Sequence, residues 1–342
     1  MRPPPLAIAC AEDRVVLERA NFILRHFVPG RRRRGLPVLV VAPMSGHFGW
    51  LMADTLAGLA AAHDVLLLEW KDAGDIPPAA GRLGFDAPIL AVMECLRLLG
   101  PGVTVLGVSQ APTTILAAAA LMAAQREPER PKALVLMGGF LDPRISPTTI
   151  EQMAARLPPG WFTRTMATNV PANEPGCGRR IYPAAAHRHA LNRYLARHMA
   201  ARGELYHKAQ EDPDFLEKYL TLMDLPAEFA EENSRWVFAE ARLAQGLLAC
   251  RGRAVEPATI TDIALLTVEG GADDSSGAGQ THVAHDLCRN ISAGLRARWT
   301  EPASGHFGLF LGEPWRSSVL PRVSEFIDRM GRPAHDSEHG RA

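Results

Sequence analysis

Apolar runs of about five residues recur along this chain, each closed by turn residues and most followed by a stretch with helical spacing. Residues 37–43 read P-V-L-V-V-A-P, and the loop 44–49 with its two glycines stops the run. Runs at 65–70, 103–106 and 133–137 have the same character. Short uninterrupted runs of this kind predict strands buried on both faces, as in a parallel sheet. Between them, 55–62, 85–99 and 113–124 carry helical spacing. Ahead of the first run, apolar residues at 15, 16, 20, 23, 24 and 27 fit a helical period and predict an amphipathic helix over 13–27. Strand–helix alternation predicts an α/β fold, a mostly parallel sheet flanked by helices.

The alternation breaks after residue 144. From 145 to 259 no convincing strand is read, only helical stretches at 150–157, 184–202, 214–222 and 227–248, and aromatic residues are concentrated here. Strand patterns return at 263–268 and 295–300, with helices expected at 279–288 and 319–330. The organisation read from this is a core in two parts, 1–144 and 260–330, interrupted by a helical lid or cap at 145–259. A polar, His/Gly-rich tail at 331–342 reads as disordered. The pentapeptide Ser-Gly-His-Phe-Gly occurs twice, at 45–49 and 304–308.

Composition mainly excludes. The 342 residues are 47% hydrophobic, enough for a sizeable core, and 37 basic residues balance 37 acidic ones. That balance gives no reason to expect a nucleic-acid partner. The run Arg31-Arg32-Arg33-Arg34 reads as a solvated turn. Five scattered cysteines without a C-x-x-C pair fit reduced thiols in a cytoplasmic protein. The apolar patch at 6–11 is too short for a secretory signal, and no run of about 18 apolar residues predicts a membrane span.

Candidate chemistry centres on Gly107-Val108-Ser109-Gln110-Ala111. A buried strand precedes it and a helix follows, which is the nucleophile-elbow arrangement, with Ala111 in place of the final Gly of G-x-S-x-G. The plainer reading is a strand-to-helix turn with an N-capping Ser. A serine hydroxyl needs a base to take its proton and a third group to orient that base. In an α/β-hydrolase the chain order is Ser, then Asp or Glu, then His. Asp273 follows the strand at 263–268, and His306 follows the strand at 295–300, between Gly305 and Gly308. Asp274 and Asp142 remain alternative acids, with Asp273 favoured. The oxyanion hole is expected from the backbone N–H of Gln110 and one from the loop at 44–49, Ser45 ahead of Met44. His47 precedes Ser109, out of order for the base, and reads as pocket-lining. No histidine set suggests a metal, and no cofactor is expected.

Several blocks resemble the intracellular polyhydroxybutyrate (polyhydroxyalkanoate) depolymerases, which are α/β-hydrolases. They are Val41-Ala42-Pro43-Met44-Ser45-Gly46-His47-Phe48; Leu136-Met137-Gly138-Gly139 with Asp142 and Arg144-Ile145-Ser146-Pro147-Thr148; and the stretch from Tyr219 to Phe229 (YLTLMDLPAEF). Val268-Glu269-Gly270 with Asp273-Asp274 and Ser276 to Thr281 (SGAGQT) forms another, and Gly305-His306-Phe307-Gly308 the last. The resemblance implies the acid at Asp273 and the base at His306. The chain departs from the family in carrying Ser109 where intracellular members usually carry Cys. It departs again at Ala230-Glu231-Glu232, where members tend to be aromatic.

The resulting expectation is an α/β-hydrolase fold with a helical lid. It would be a cytoplasmic serine hydrolase cleaving short-chain polyhydroxyalkanoate or its oligomers through an acyl-Ser109 intermediate, with the polyester, and the granule surface that carries it, as partners. Trp161 and Phe162, after Pro158-Pro159-Gly160, are the candidate substrate-gripping aromatics. The alternatives are an esterase or acyltransferase of the same fold, including thiolysis to coenzyme A, and an inactive granule-binding protein.

Overall fold

The computed structural model describes residues 11–29 and 36–331. The patch at 6–11 falls largely outside these residues. The Arg31–Arg34 run and the tail beyond Gly331 lie wholly outside them.

The chain opens with a hairpin, β1 (Ala11–Glu18) and β2 (Phe22–Pro29), in place of the helix expected over 13–27. In β2 only Phe22 and Leu24 alternate as a strand would, and both point into the core; Phe27, out of step with them, is buried as well. Val15 and Val16, which the helical reading would have buried, are exposed. β2 pairs antiparallel with a strand further along the chain, and that long-range pairing outweighs the local helical spacing.

The core follows in order: β3 (Pro37–Val41), α1 (Ala53–Ala60), β4 (Asp64–Trp70), α2 (Asp86–Leu99), β5 (Thr104–Val108), α3 (Ala111–Ala124) and β6 (Ala133–Met137). The strands are Val/Leu-rich and almost wholly buried, because helices cover both faces of the sheet. α3 is buried along its length from Ala111 to Met122. Its run of alanines keeps it thin enough to pack closely against β5, β6 and α2.

Between β6 and the next core strand lie α4 (Thr149–Ala155), β7 (Thr168–Asn169), β8 (Arg180–Tyr182), α5 (Ala184–Ala201), α6 (Glu204–Glu211), α7 (Phe215–Leu220), β9 (Leu225–Pro226) and α8 (Ala227–Glu232). A two-residue pair, β10 (Ala249–Cys250) and β11 (Arg253–Ala254), closes the segment. Contrary to the strandless reading, β7, β8 and β9 form a small antiparallel sheet. Strands of two or three residues leave no periodicity to read. The long helix expected at 227–248 breaks after α8 into a π-helical turn, Asn233–Ala239, and then turns in which Ala241 and Gly246 take positive φ.

β12 (Ala264–Gly270) and β13 (Arg296–Glu301) complete the sheet. The helix expected at 279–288 is reduced to Ala284–Leu287. Ahead of it the Glu269 carboxylate takes the N–H groups of Gly279, Thr281 and His282, so turn donors are satisfied without a regular helix. An amphipathic helix, Leu320–Gly331, ends the described chain with Val323, Phe326 and Ile327 buried.

The strand order is β1-β2-β4-β3-β5-β6-β12-β13, parallel from β4 onward. Val41 lies opposite Gly107, Val108 opposite Met137, and Met137 opposite Val268. The residues after β3, β5, β6, β12 and β13 therefore emerge along one sheet edge, where ligands gather in such folds. Among the described residues no helix is long and apolar enough to cross a membrane.

Candidate active site

β5 ends at Val108, and Ser109 takes φ 59°, a left-handed conformation that side-chain-bearing residues adopt at a cost. The chain reverses there into α3. A Cβ on Gly107 would lie 2.2 Å from Ile115 Cδ1 and 2.9 Å from Ala111 Cβ, so strand and helix leave room only for hydrogen. On the other side Gly139 lies against the Pro112 ring, where an added Cβ would come within 2.5 Å. The turn is gripped from both flanks, which sustains the strained φ at Ser109.

His306 follows β13 and Asp273 follows β12. His306 Nε2 is 3.0 Å from Ser109 Oγ, and its Nδ1 is 2.8 Å from Asp273 Oδ2. With Asp273 ionised, Nδ1–H donates to the carboxylate and the serine O–H donates to Nε2. The other carboxylate oxygen, Asp273 Oδ1, accepts the N–H groups of Ser275 and Ser276, both at 2.8 Å, which fixes the acid's orientation. The alternative acids are occupied elsewhere. Asp142 makes a bidentate pair with Arg144, and Asp274 accepts from the Tyr194 hydroxyl at 2.9 Å.

The imidazole is buried among aromatic rings. The centroids of Phe307, Phe310 and Phe140 lie 5.6, 5.9 and 6.3 Å from it. Gly138, with φ 53°, lets the backbone pass beside the ring, since a Cβ there would be 3.2 Å from Nδ1 and Cε1. Burial alone disfavours the imidazolium. The Asp273 carboxylate, with Glu204 and Asp274 nearby, outweighs it and holds the pKa of His306 above the usual value.

The loop after β3 runs alongside β5's end. Ser45 Oγ is 3.1 Å from His47 Nδ1, and Gly46, with φ 83°, carries the ring of His187 against it. Burial, with His187 close by, depresses His47 to about 3; burial depresses His187 to about 4, so both rings are neutral at ordinary pH. The side-chain atoms His47 Nε2, His187 Nδ1 and Gln110 Oε1 are buried with no hydrogen-bond partner among the described residues. The loop is fixed at both ends, with Met223 N–H donating to Gly46 O at 2.8 Å and Gly49 N–H to Glu69 Oε1 at 3.1 Å. Met44 is buried at the loop's start.

Trp161 and Phe162 connect to this loop through a relay of rings. Phe162 meets Trp161 at 4.9 Å and Tyr182 at 5.1 Å, and Tyr182 meets His187 at 5.6 Å. Glu231, one of the residues departing from the family's aromatic pattern, accepts the N–H groups of Gly160 and Phe162 and so braces this turn. Among the described residues no group of three or more His, Cys, Asp or Glu is placed to hold a metal ion. Sequence reading missed Phe140, Glu69 and Glu204, whose partners lie far along the chain. For Glu204 the one available signal was the glycine pair flanking His306.

Residues 138–331, more than half of the chain, match the family described as PHB de-polymerase C-terminus. The chain belongs to this family. As a PHB depolymerase family member it is a carboxylic ester hydrolase, and its fold is that of the α/β-hydrolases. A monoglyceride lipase from Saccharomyces cerevisiae shares this fold with a TM-score of 0.58 at 10% identity, over 97% of this chain and 99% of that one. An esterase from a Rhodococcus species has a TM-score of 0.55 at 18% identity, over 93% and 99%. A thermophilic esterase from Thermogutta terrifontis has 0.53 at 15%, over 94% and 100%. At such identities the likeness shows the fold alone. No curated protein matches the chain.

Proposed function

We propose that this family member hydrolyses short-chain polyhydroxyalkanoate, or oligomers released from it, through an acyl-Ser109 intermediate, acting in the cytoplasm at the granule surface. The reading is carried by the continuous hydrogen-bond chain from Ser109 Oγ through His306 to Asp273, at 3.0 and 2.8 Å, in a member of a polyester-cleaving family.

His306 Nε2 takes the hydroxyl proton as Ser109 Oγ attacks the ester carbonyl. Asp273 keeps the ring in the required tautomer and stabilises the imidazolium. The same ring returns the proton to the departing alcohol, and then takes one from the water that releases the acid. The developing oxyanion is held by the N–H of Gln110 and by an N–H of the β3 loop, from Ser45 or Met44. His47, neutral and buried, lines the pocket beside it. The 145–259 segment acts as a lid, with Trp161 and Phe162 gripping the chain being cut.

The test is release of 3-hydroxybutyrate from amorphous granules by the full chain and by Ser109→Ala. The substitution should lower release on the order of 10⁴-fold or more. Equal release would reject Ser109 as nucleophile. Cleavage of soluble p-nitrophenyl esters with granules untouched would instead make it an esterase of another substrate. Faster turnover with coenzyme A than with water would point to thiolysis.

A further inference from the structure

The repeated pentapeptide Ser-Gly-His-Phe-Gly supplies two loops, 45–49 after β3, where Gly46 lies against His187, and 304–308, which holds His306. Each copy is backed by a glutamate from a distant part of the chain. Glu69 of β4 receives Gly49 N–H in the first copy. In the second, Glu204, the first residue of α6, receives three: Gly305 N–H at 2.6 Å, Phe307 N–H at 3.0 Å and Gly308 N–H at 3.2 Å. The glycines make this possible. A Cβ on Gly305 would sit 2.6 Å from Glu204 Cδ, and one on Gly308 would be 2.9 Å from its Oε1.

We propose that Glu204 is a positioning residue for the base: its carboxylate, inserted from α6, grips the backbone on both sides of His306 and sets the ring between Ser109 and Asp273. This rests on the reading of His306 as the base. All three partners are donors, so the ionised carboxylate is the form that satisfies them. Burial pushes the Glu204 carboxyl up, and the N–H groups of Phe307, Gly308 and Gly305 pull against that push. The neighbouring helix holds the acid loop in the same way. On α5 the Tyr194 hydroxyl donates to Asp274, and His198 Nε2 lies 3.1 Å from the other oxygen of that carboxylate. α5 and α6 thus bracket the loops of both acid and base.

The ionisable groups facing His306 are Asp273 and Asp274 on the acid loop and Glu204 on α6, with His198 of α5 behind Asp274. Lys208, also on α6, is directed to Asp54 at 3.6 Å. All three carboxylates favour the imidazolium, so removing one charge should ease its deprotonation.

The experiment follows hydrolysis of a soluble p-nitrophenyl ester against pH for the full chain, Glu204→Gln and Glu204→Asp. Glu204→Gln should lower kcat roughly tenfold to hundredfold with KM little changed, since a base displaced by a fraction of an ångström misses its near-attack geometry. The acid limb of kcat/KM should also move to lower pH. Glu204→Asp, which keeps the charge, should leave the limb in place and recover part of kcat. A Glu204→Gln profile that superimposes on wild type overturns the proposal, and so does a fall in kcat with the limb unmoved. Should Glu204→Gln not fold by circular dichroism, Glu204→Asp decides: a loss in kcat but not in KM supports the proposal, and unchanged kcat overturns it. A fluorophosphonate probe separates the two levels. Wild type that labels at Ser109 while the variants behave as wild type sinks only this inference; wild type that neither labels nor cleaves sinks the triad reading beneath it.

Discussion

At the scale of single residues, the site stores strain at Ser109, the proposed nucleophile. Ser109 holds φ 59°, a conformation costing an L-residue on the order of 1–2 kcal/mol and glycine almost nothing. Two variants of Ser109 should therefore differ in stability: Ser109→Gly is expected to exceed Ser109→Ala by about 1 kcal/mol in urea denaturation. Equal midpoints would mean that the turn relaxes once the hydroxyl is gone. The residues at this turn were legible in the sequence because they follow an apolar strand and flank a small-residue pattern. The same holds for Asp273 and His306, each found just past a buried run. Glu204 was not legible, because nothing local marks a carboxylate whose partners lie about a hundred residues later. Its signature is carried by Gly305 and Gly308, which in the sequence read as a loop and nothing more.

At the scale of elements, the core strands were readable because burial on both faces leaves uninterrupted Val/Leu runs, as in β3, β5 and β6. The N-terminal hairpin was not, since Val15, Val16, Ile23, Leu24 and Phe27 satisfy a helical period and follow no two-residue one. Only pairing with β4, set by contacts some forty residues away, decides between helix and strand. The β6–β12 segment is joined to the core by polar ties as much as by apolar packing. Arg179, buried just before β8, donates through Nε to Ile76 O at 2.6 Å and through Nη2 to Pro77 O at 2.7 Å, and it also reaches Gly81 O. Replacing it with Met would keep the stem and strip three carbonyls of their donor. The expected cost is roughly 2–4 kcal/mol of stability, with faster proteolysis between β7 and β8. Unaltered cleavage and midpoint would show that water replaces the guanidinium without penalty.

At the scale of the whole molecule, buried histidines set the response to acid. Burial holds His47 at about 3 and His187 and His285 at about 4, below the ordinary 6.5. A depressed folded pKa means that the unfolded chain binds the proton first. The stability these rings confer is complete above about 6.5 and drains away as pH falls toward 4 and then 3. Other groups pull the other way, among them the carboxyls of Glu151, Glu204 and Asp224, which burial pushes up. His306, raised by its carboxylates against burial, stabilises below its folded pKa and loses that contribution as pH rises through it. Asp72, pushed by burial up to about 6, is likewise favoured when protonated. Burial lowers His63 and His282 as well, so the depressed rings are expected to prevail: the melting temperature should fall between pH 7 and pH 5, and a flat profile there would refute the balance. His285→Gln should flatten the slope, its amide being able to keep a hydrogen bond to Thr267 Oγ1, now 3.0 Å from His285 Nε2.

The three N–H groups that end on Glu204 have a consequence for anyone wishing to trim the 145–259 segment. Cutting out α6 would do more than shorten it. It would strand three amides beside the imidazole, at a penalty of about 1–3 kcal/mol for each that finds no water. On the role proposed for Glu204, the minimal hydrolase is not the sheet with its flanking helices: a carboxylate from α6 belongs to it.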